Sequence, residues 1–198
     1  METLRLFVSL ELPKQFLSEI DLLRDRAVAA GHREAVRALP SENLHLTLKF
    51  LGDTEPTRLD GLRSTLQSLA AHTHPISVRL SGGGCFPHAR RPRVYWAGLQ
   101  SLDTPGIEGL QAELSARLEE LGFPPDDKPF HPHITLGYAR KGVAPAEARR
   151  AAEALSGFRE PPVGAEAVLE TLALKQSRLT PSGAVHETIA GAHLGAER

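Results

Sequence analysis

The sequence predicts an α+β protein with a duplicated bilobal fold, in which two antiparallel-rich β-sheets face a central cleft and helices lie on the outside. Segments with alternating apolar residues interchange with segments of helical periodicity along the chain. The order of these segments in the second half nearly repeats the order in the first half. Because the repeat occurs once, it predicts a duplicated lobe and not a solenoid.

The first half contains three predicted strands and two predicted helices. Apolar residues alternate at the start of the chain, and Phe16, Ile20, Leu23 and Ala27 then line one helical face that ends at Gly31. We expect a strand at 3–12, a helix at 13–31, a strand at 44–50, a helix at 59–69 and a strand at 75–80. The glycines and prolines of SGGGCFPHARRP, residues 81–92, predict a loop after the last of these strands.

The second half begins with the predicted strand RVYWAGLQ at 93–100. We then expect a helix at 107–118, a strand at 131–138, an alanine-rich helix at 145–155, and final strands at 167–175 and 185–190. This organisation predicts a single domain, 1–198, made of pseudo-symmetric lobes at about 1–90 and 91–198. In this prediction the C-terminal strands can cross from the second lobe to the first.

Composition and charge narrow the functional classes. Lysine and arginine total 23 against 24 aspartates and glutamates, so an anionic ligand requires a local basic patch. A single cysteine excludes an internal disulfide and suits a reducing compartment. The N-terminal segment has no unbroken apolar core, and no run reaches the ~20 apolar residues of a membrane-spanning helix. We therefore predict a cytoplasmic monomer with no membrane partner.

The same tetrapeptide pattern occurs once in each half of the chain. His45-Leu46-Thr47-Leu48 and His133-Ile134-Thr135-Leu136 lie in corresponding predicted strands, and the two histidines are 133 − 45 = 88 positions apart. Side chains two positions apart share a face of a strand, so each histidine points the same way as its threonine. The apolar residues between them point into the core.

Two such faces across one cleft suit a phosphodiester substrate. Imidazoles titrate near neutral pH, so one histidine can act as base while the other acts as acid. Threonine hydroxyls can donate hydrogen bonds to non-bridging phosphate oxygens. This chemistry requires no metal. A lone His-x-Thr on a strand is typical of ordinary packing, and the functional prediction therefore depends on the pairing.

These motifs and their surroundings resemble the two-histidine (2H) phosphoesterase superfamily, and within it the RNA 2′,3′-cyclic phosphodiesterases, also called 2′-5′ RNA ligases. The resemblance extends over nearly the whole chain and includes LRLFVSLELP, HLTLKFLG, FPHARRPRVYWAG, FHPHITLGYAR and LALKQSRLTPSGAVHE. It implies a bilobal fold and hydrolysis of a terminal 2′,3′-cyclic phosphate to a 2′-phosphate. It also implies the possible reverse reaction, which joins RNA ends through a 2′-5′ linkage.

The resemblance assigns roles to four residues. His45 corresponds to the proton donor for the departing 3′ oxygen and His133 to the proton acceptor that activates water. Thr47 and Thr135 correspond to the phosphate-binding residues. Ligation would exchange the roles of the two histidines. The resemblance implies no metal or nucleotide cofactor, and the expected partners are RNA ends or nucleotides that carry a 2′,3′-cyclic phosphate.

Further substrate contacts are candidates only. The family commonly has arginine where this chain has Tyr138, and Arg140 follows two positions later; in a regular strand both side chains point away from His133, whereas a bulge would return Arg140 to the phosphate. Arg93 is a candidate for the cleft rim. Strand parity places Phe50 in the core, with contact to a nucleobase as the alternative. His186 occupies a position where the family usually has tyrosine.

Other interpretations remain open from the sequence. His131 and His133 would share a strand face and could hold zinc, but no further ligand stands at a supporting spacing. Trp96 is expected to pack in the core, with base stacking as the alternative. Two other functions are a phosphodiesterase for a small nucleotide, such as ADP-ribose cyclic phosphate or a 2′-5′ oligoadenylate, and an RNA-binding module without turnover. A non-catalytic module has no need for both histidines and both threonines.

Overall fold

A computed structural model describes residues 3–31, 35–156, 166–180 and 183–195. Within these segments the chain forms nine strands and four α-helices. The strands are β1 (Leu4–Leu10), β2 (Val36–Ala38), β3 (Leu46–Thr54), β4 (Ile76–Phe86), β5 (Val94–Ser101), β6 (His133–Ala139), β7 (Glu166–Leu169), β8 (Thr171–Thr180) and β9 (Gly183–His193). The helices are α1 (Lys14–Gly31), α2 (Leu59–Ala71), α3 (Gly106–Glu120) and α4 (Pro145–Ser156).

All the strand pairs are antiparallel and follow the order β7-β4-β5-β6-β3-β1-β8-β9, with the short β2 also paired to β6. The predicted α+β class with antiparallel sheets is therefore confirmed. The two expected sheets are the halves of this one sheet, β7-β4-β5-β6 and β3-β1-β8-β9. They meet through a single residue pair, Leu46 with Ile134.

The two halves exchange segments of the chain. The boundary expected near residue 90 lies in the loop between β4 and β5, which pair with each other in one half of the sheet. The C-terminal strands β8 and β9 extend the other half, because β8 pairs with β1. The helices cross in the same way, since α1 packs against α4 and α2 packs against β8 and β9. Residue 90 thus does not separate the halves.

The segment SGGGC belongs to a strand, so the loop predicted for it is wrong. β4 continues to Phe86 through a bulge, because the pairing with β5 steps from Leu80–Leu99 to Gly83–Ala97. A side chain at Gly84 would lie 2.5 Å from the Trp96 ring. Glycine is required here because the indole lies directly against the strand, which composition alone does not reveal.

The core forms between the sheet and the helices. The apolar face predicted for α1 is buried, with Phe16 and Ile20 at most 1% exposed. Tyr95 of β5 is fully buried, and its hydroxyl donates a hydrogen bond of 3.0 Å to the carbonyl oxygen of Ala148 in α4. This packing leaves the opposite face of β3 and β6 free to form a cleft. No helix in the described segments is long and apolar enough to cross a membrane.

Candidate active site

The pairing of Leu46 with Ile134 brings the two tetrapeptides together. Because the two strands are antiparallel, the neighbours of this pair also face each other. His45 is therefore placed opposite Thr135, and Thr47 opposite His133. Each histidine of one motif lies beside the threonine of the other, and the antiparallel register thus relates the two motifs by a local pseudo-twofold axis.

Each motif carries a β-bulge at its fourth residue. The pairing of β3 with β1 steps from Ser9–Thr47 to Val8–Lys49, which leaves Leu48 unpaired. The pairing of β6 with β5 steps from Trp96–Thr135 to Tyr95–Gly137, which leaves Leu136 unpaired. A bulge inserts one residue and so exchanges the faces of every side chain beyond it. The pseudo-twofold symmetry thus extends to a backbone irregularity.

The bulge in β3 overturns the core position expected for Phe50. This side chain is 68% exposed, whereas Lys49 is 2% exposed and its Nζ lies 3.2 Å from Oδ2 of Asp126. Phe50 pairs with Phe7 and lies on the same face as His45. The bulge in β6 likewise turns Tyr138 into the cleft, although a regular strand would have pointed it away. Phe50 and Tyr138 are therefore symmetry-related aromatic residues beside the motifs.

Both motif histidines are held by the same kind of hydrogen bond. Nδ1–H of His45 donates to the carbonyl oxygen of Asn43 at 2.8 Å, and Nδ1–H of His133 donates to the carbonyl oxygen of His131 at 2.6 Å. In each case the acceptor lies two residues earlier in the chain. This bond orients the ring and leaves Nε2 as the nitrogen that gains or loses a proton.

A cavity of about 340 Å³ lies in front of the motifs. We call it the central cleft, and its walls include His45, Thr47, Phe50, Thr135, Tyr138 and His186. Neither threonine hydroxyl has a hydrogen-bond partner among the described side chains and backbone, so both are available to a ligand. His133 is not among the residues that line this cavity, but a positive charge on its ring would lower the pKa of His45, so the two imidazoles are electrostatically coupled.

The surroundings of His45 oppose a positive charge on its ring. Burial, followed by the neighbouring His186 and Lys175, lowers the pKa of His45 to about 3. Burial also lowers the pKa of His133 and that of His186. All three imidazoles are therefore neutral at pH 7 when the cleft is empty. An anion in the cleft would oppose this shift and favour a proton on His45.

Two further side chains lower the pKa of His45, and the sequence predicts a substrate contact for His186 but no role for Lys175. The His186 ring lies 5.2 Å from the His45 ring, edge to face, and 5.0 Å from the ring of Phe7. Lys175 pairs with Phe7 across β1 and β8, is 7% exposed, and lies 2.9 Å from Oε1 of Glu11. The alternating pattern of LALKQ predicts a strand, but it does not indicate that the charge of Lys175 acts on a histidine.

His133 lies in an aromatic cluster of its own. Its ring centroid is 5.0 Å from that of Phe86 and 6.3 Å from that of Trp96, and the Trp96 ring is 4.8 Å from His131. Trp96 is half-buried on the cleft side, so the core position expected for it is wrong; the core residue is its neighbour Tyr95. Over the described segments, no three histidine, cysteine or acidic side chains converge as metal ligands would.

The structure does not bring Arg93 and Arg140 into the central cleft. Both line a separate groove on the far side of Tyr138. On the sequence alone, a bulge in this strand is the condition for returning Arg140 to the phosphate, and the bulge at Leu136 is present. However, β6 ends at Ala139, and Arg140 leaves the sheet towards solvent.

Comparison with known proteins connects this geometry to a family. The sequence model of the 2′-5′ RNA ligase superfamily matches residues 12–178, which include both tetrapeptides. The chain belongs to the 2′-5′ RNA ligase superfamily. A superfamily relative from Thermus thermophilus, named RNA 2′,3′-cyclic phosphodiesterase, is 36% identical over 158 residues, which cover 77% of this chain and 73% of the relative. A relative of the same name from Methanothermobacter thermautotrophicus is 29% identical, covering 92% of this chain and 94% of its own.

Solved structures agree with the superfamily assignment. The crystal structure of the Thermus thermophilus protein TT0787 superposes with a TM-score of 0.77 at 32% identity, covering 98% of this chain and 100% of that one. LigT of E. coli, crystallised with 3′-AMP, superposes with a TM-score of 0.72 over 98% of this chain and 99% of its own. At 24% identity the second comparison supports the fold alone.

Proposed function

We propose that this protein is an enzyme that hydrolyses terminal 2′,3′-cyclic phosphates of RNA to 2′-phosphates without a metal. The observation that carries the proposal is the antiparallel placement of the two motifs, which sets His45 beside Thr135 and His133 beside Thr47. Superfamily relatives named RNA 2′,3′-cyclic phosphodiesterase support the same reaction.

The reaction requires two proton transfers on opposite sides of phosphorus. Nε2 of His133 accepts a proton from water as the water oxygen forms a bond to phosphorus. The bond between phosphorus and O3′ breaks, and Nε2–H of His45 delivers a proton to O3′. The products are a 3′-hydroxyl and a 2′-phosphate, and the two histidines have exchanged protonation states.

Hydroxyl donors serve the phosphate itself. Thr47 and Thr135 donate hydrogen bonds to the non-bridging oxygens, where negative charge builds up as water attacks. Their cross-strand positions place one hydroxyl beside each histidine. Because both hydroxyls lack other partners among the described residues, binding the phosphate costs no existing hydrogen bond.

The negative charge of the bound substrate favours the protonated form of His45. In the empty cleft the low pKa of His45 leaves it without a proton to donate. The cyclic phosphate brings one negative charge to the ring and offsets the positive charge of Lys175, so the pKa of His45 rises on binding. Protonation of the acid is therefore coupled to occupation of the site.

The terminal nucleoside is held by the aromatic residues beyond the bulges. Phe50 presents an exposed ring beside His45, and a nucleobase can stack on it. Tyr138 stands at the symmetry-related position on β6 and closes the other side of the cleft. In the reverse direction the histidines exchange roles, and a 5′-hydroxyl attacks the cyclic phosphate to form a 2′-5′ linkage.

The test is incubation with RNA that ends in a 2′,3′-cyclic phosphate, followed by identification of the product. The proposal predicts a 2′-phosphate and a rate unchanged by EDTA. A 3′-phosphate product would mean that the departing oxygen is assigned incorrectly, and loss of activity in EDTA with recovery on adding metal would contradict the metal-free mechanism. No conversion of any cyclic phosphate end would leave the non-catalytic RNA-binding alternative.

A further inference from the structure

A second groove opens beside the central cleft at the end of β6, with a volume of about 830 Å³. Six cationic side chains from three segments line it, and no acidic residue does. They are Arg37 in β2, Arg90, Arg91 and Arg93 between β4 and β5, and Arg140 and Lys141 after β6. We call this surface the basic groove.

The concentration of charge in the basic groove is unusual for this chain. The whole sequence carries 23 basic and 24 acidic side chains, so a groove lined by six cations and no acid departs from the average of the chain. None of the six forms an ion pair with an acid of the described segments, whereas Arg24, Arg63 and Arg117 each do. Six like charges repel one another, and an anionic ligand removes that cost.

The backbone holds the three segments at fixed positions. The amide of Ala139 donates to the carbonyl of Arg93 at 3.0 Å, and the amide of Arg140 donates to the carbonyl of Ala35 at 2.9 Å. The guanidinium of Arg37 lies 5.2 Å from the centre of the Tyr138 ring. The groove is therefore part of the sheet's edge and not a chance approach of flexible side chains.

Tyr138 connects the basic groove to the central cleft. Its side chain lines both, so a ligand whose phosphate lies between the histidines can continue past this ring into the groove. The central cleft of about 340 Å³ has room for one terminal nucleotide. A single nucleotide there would leave the six cations unused.

We propose that the basic groove binds the ribose–phosphate backbone of the nucleotides that precede the terminal cyclic phosphate. The inference rests on the proposed function and names its substrate class: an RNA chain, in preference to a free cyclic nucleotide. Arginine and lysine bind phosphates without reading bases, so this binding is independent of sequence and sensitive to salt.

The test compares charge removal in the groove with charge removal elsewhere. Arg90→Ser with Arg91→Ser removes two exposed cations of the groove. Arg63→Ser with Arg117→Ser removes two cations from α2 and α3 and serves as the control with the same change in net charge. Each protein is assayed on a ten-nucleotide RNA with a 2′,3′-cyclic phosphate end and on 2′,3′-cyclic AMP. Binding of the same RNA with a 3′-hydroxyl end is measured by fluorescence anisotropy.

We expect the groove variant to lose about tenfold in RNA affinity and in kcat/KM on RNA, with less than a twofold change on cyclic AMP. The slope of log affinity against log salt should fall by about 1.4, since two phosphate contacts are lost from a single strand. Unchanged RNA affinity, or an equal loss in the control variant or on cyclic AMP, would overturn the inference. Failure of the unaltered enzyme to hydrolyse either substrate would overturn the proposed function, while the binding comparison still decides the groove.

Discussion

Leu46 of β3 and Ile134 of β6 form the single residue pair that joins the two halves of the sheet. Their side chains are buried, so the residues on either side of each point into the cleft. The contact therefore fixes how the two His-x-Thr motifs lie relative to each other. A buried pair of aliphatic residues therefore positions the proposed acid and base relative to each other.

Removing the exposed ring beside His45 should weaken substrate binding without unfolding the protein. Phe50→Ala deletes a side chain that is 68% exposed, and we expect KM for cyclic phosphate substrates to rise about tenfold, since stacking on one base contributes about 1–3 kcal/mol. Leu22→Ala is the matched control, because Leu22 is 57% exposed on α1. Equal KM values for the two variants would show that Phe50 does not contact the substrate.

The glycine after the second bulge should be intolerant of a side chain. A Cβ at Gly137 would lie 2.7 Å from the carbonyl oxygen of Arg37, so Gly137→Ala should displace β2 and lower the free energy of unfolding by about 1–3 kcal/mol. Gly61→Ala on exposed α2 meets only Leu121, at 4.0 Å, and should stabilise by up to about 1 kcal/mol. Urea denaturation measures both, and a neutral Gly137→Ala would mean that β2 does not pack as described.

The charge of Lys175 should set the pH dependence of the reaction. Lys175 lowers the pKa of His45, so Lys175→Met should raise it and move the limb of the kcat/KM profile that reports His45 to higher pH. Glu11→Gln removes the acid that partly neutralises Lys175 and should move the same limb to lower pH. If this limb moved in the same direction in both variants, Lys175 would have no electrostatic role in setting the pKa of His45.

Acid should destabilise the fold through its neutral histidines. The pKa of His45 is about 3 in the folded protein and near 6.5 when unfolded. Above pH 6.5 the His45 ring is neutral in both the folded and the unfolded state. Below pH 6.5 the ring binds a proton in the unfolded state but not in the folded state, so the free energy of unfolding falls as the pH drops from 6.5 towards 3. The loss for His45 alone should be about 1.4 kcal/mol per pH unit. Denaturant titrations of the unaltered protein and of His45→Gln from pH 7 to 4.5 measure it, and identical slopes would contradict the shift.

The faces of the four motif residues could be predicted from sequence because these residues precede the bulges. Up to Thr47 and Thr135, strict alternation gives the correct face for each side chain. Beyond them the parity reverses, and strict alternation places Phe50 in the core for that reason. A bulge depends on the register of a partner strand, β1 or β5, which is distant in sequence and leaves no local signal.

The way the sheet divides into halves could not be predicted from the sequence, for a similar reason. Periodicity identifies β4 and β8 as strands but not which neighbours they pair with. The glycines of SGGGC are typical of a loop, and the close approach of Gly83 and Gly84 to Trp96 exists only in the folded sheet. The basic groove likewise assembles Arg37 and Arg140 from segments that are adjacent only through β2 and β6.

The central claim is that His45 and His133 act together as acid and base, and single-turnover hydrolysis of RNA 2′,3′-cyclic phosphate tests it most directly. His45→Asn and His133→Asn should each retain native circular dichroism and lose at least about a hundredfold in rate, the usual contribution of a positioned acid or base. The double variant should be little slower than either single variant, because the two residues work in one step. Retention of more than a few per cent of the rate in either single variant would contradict the account.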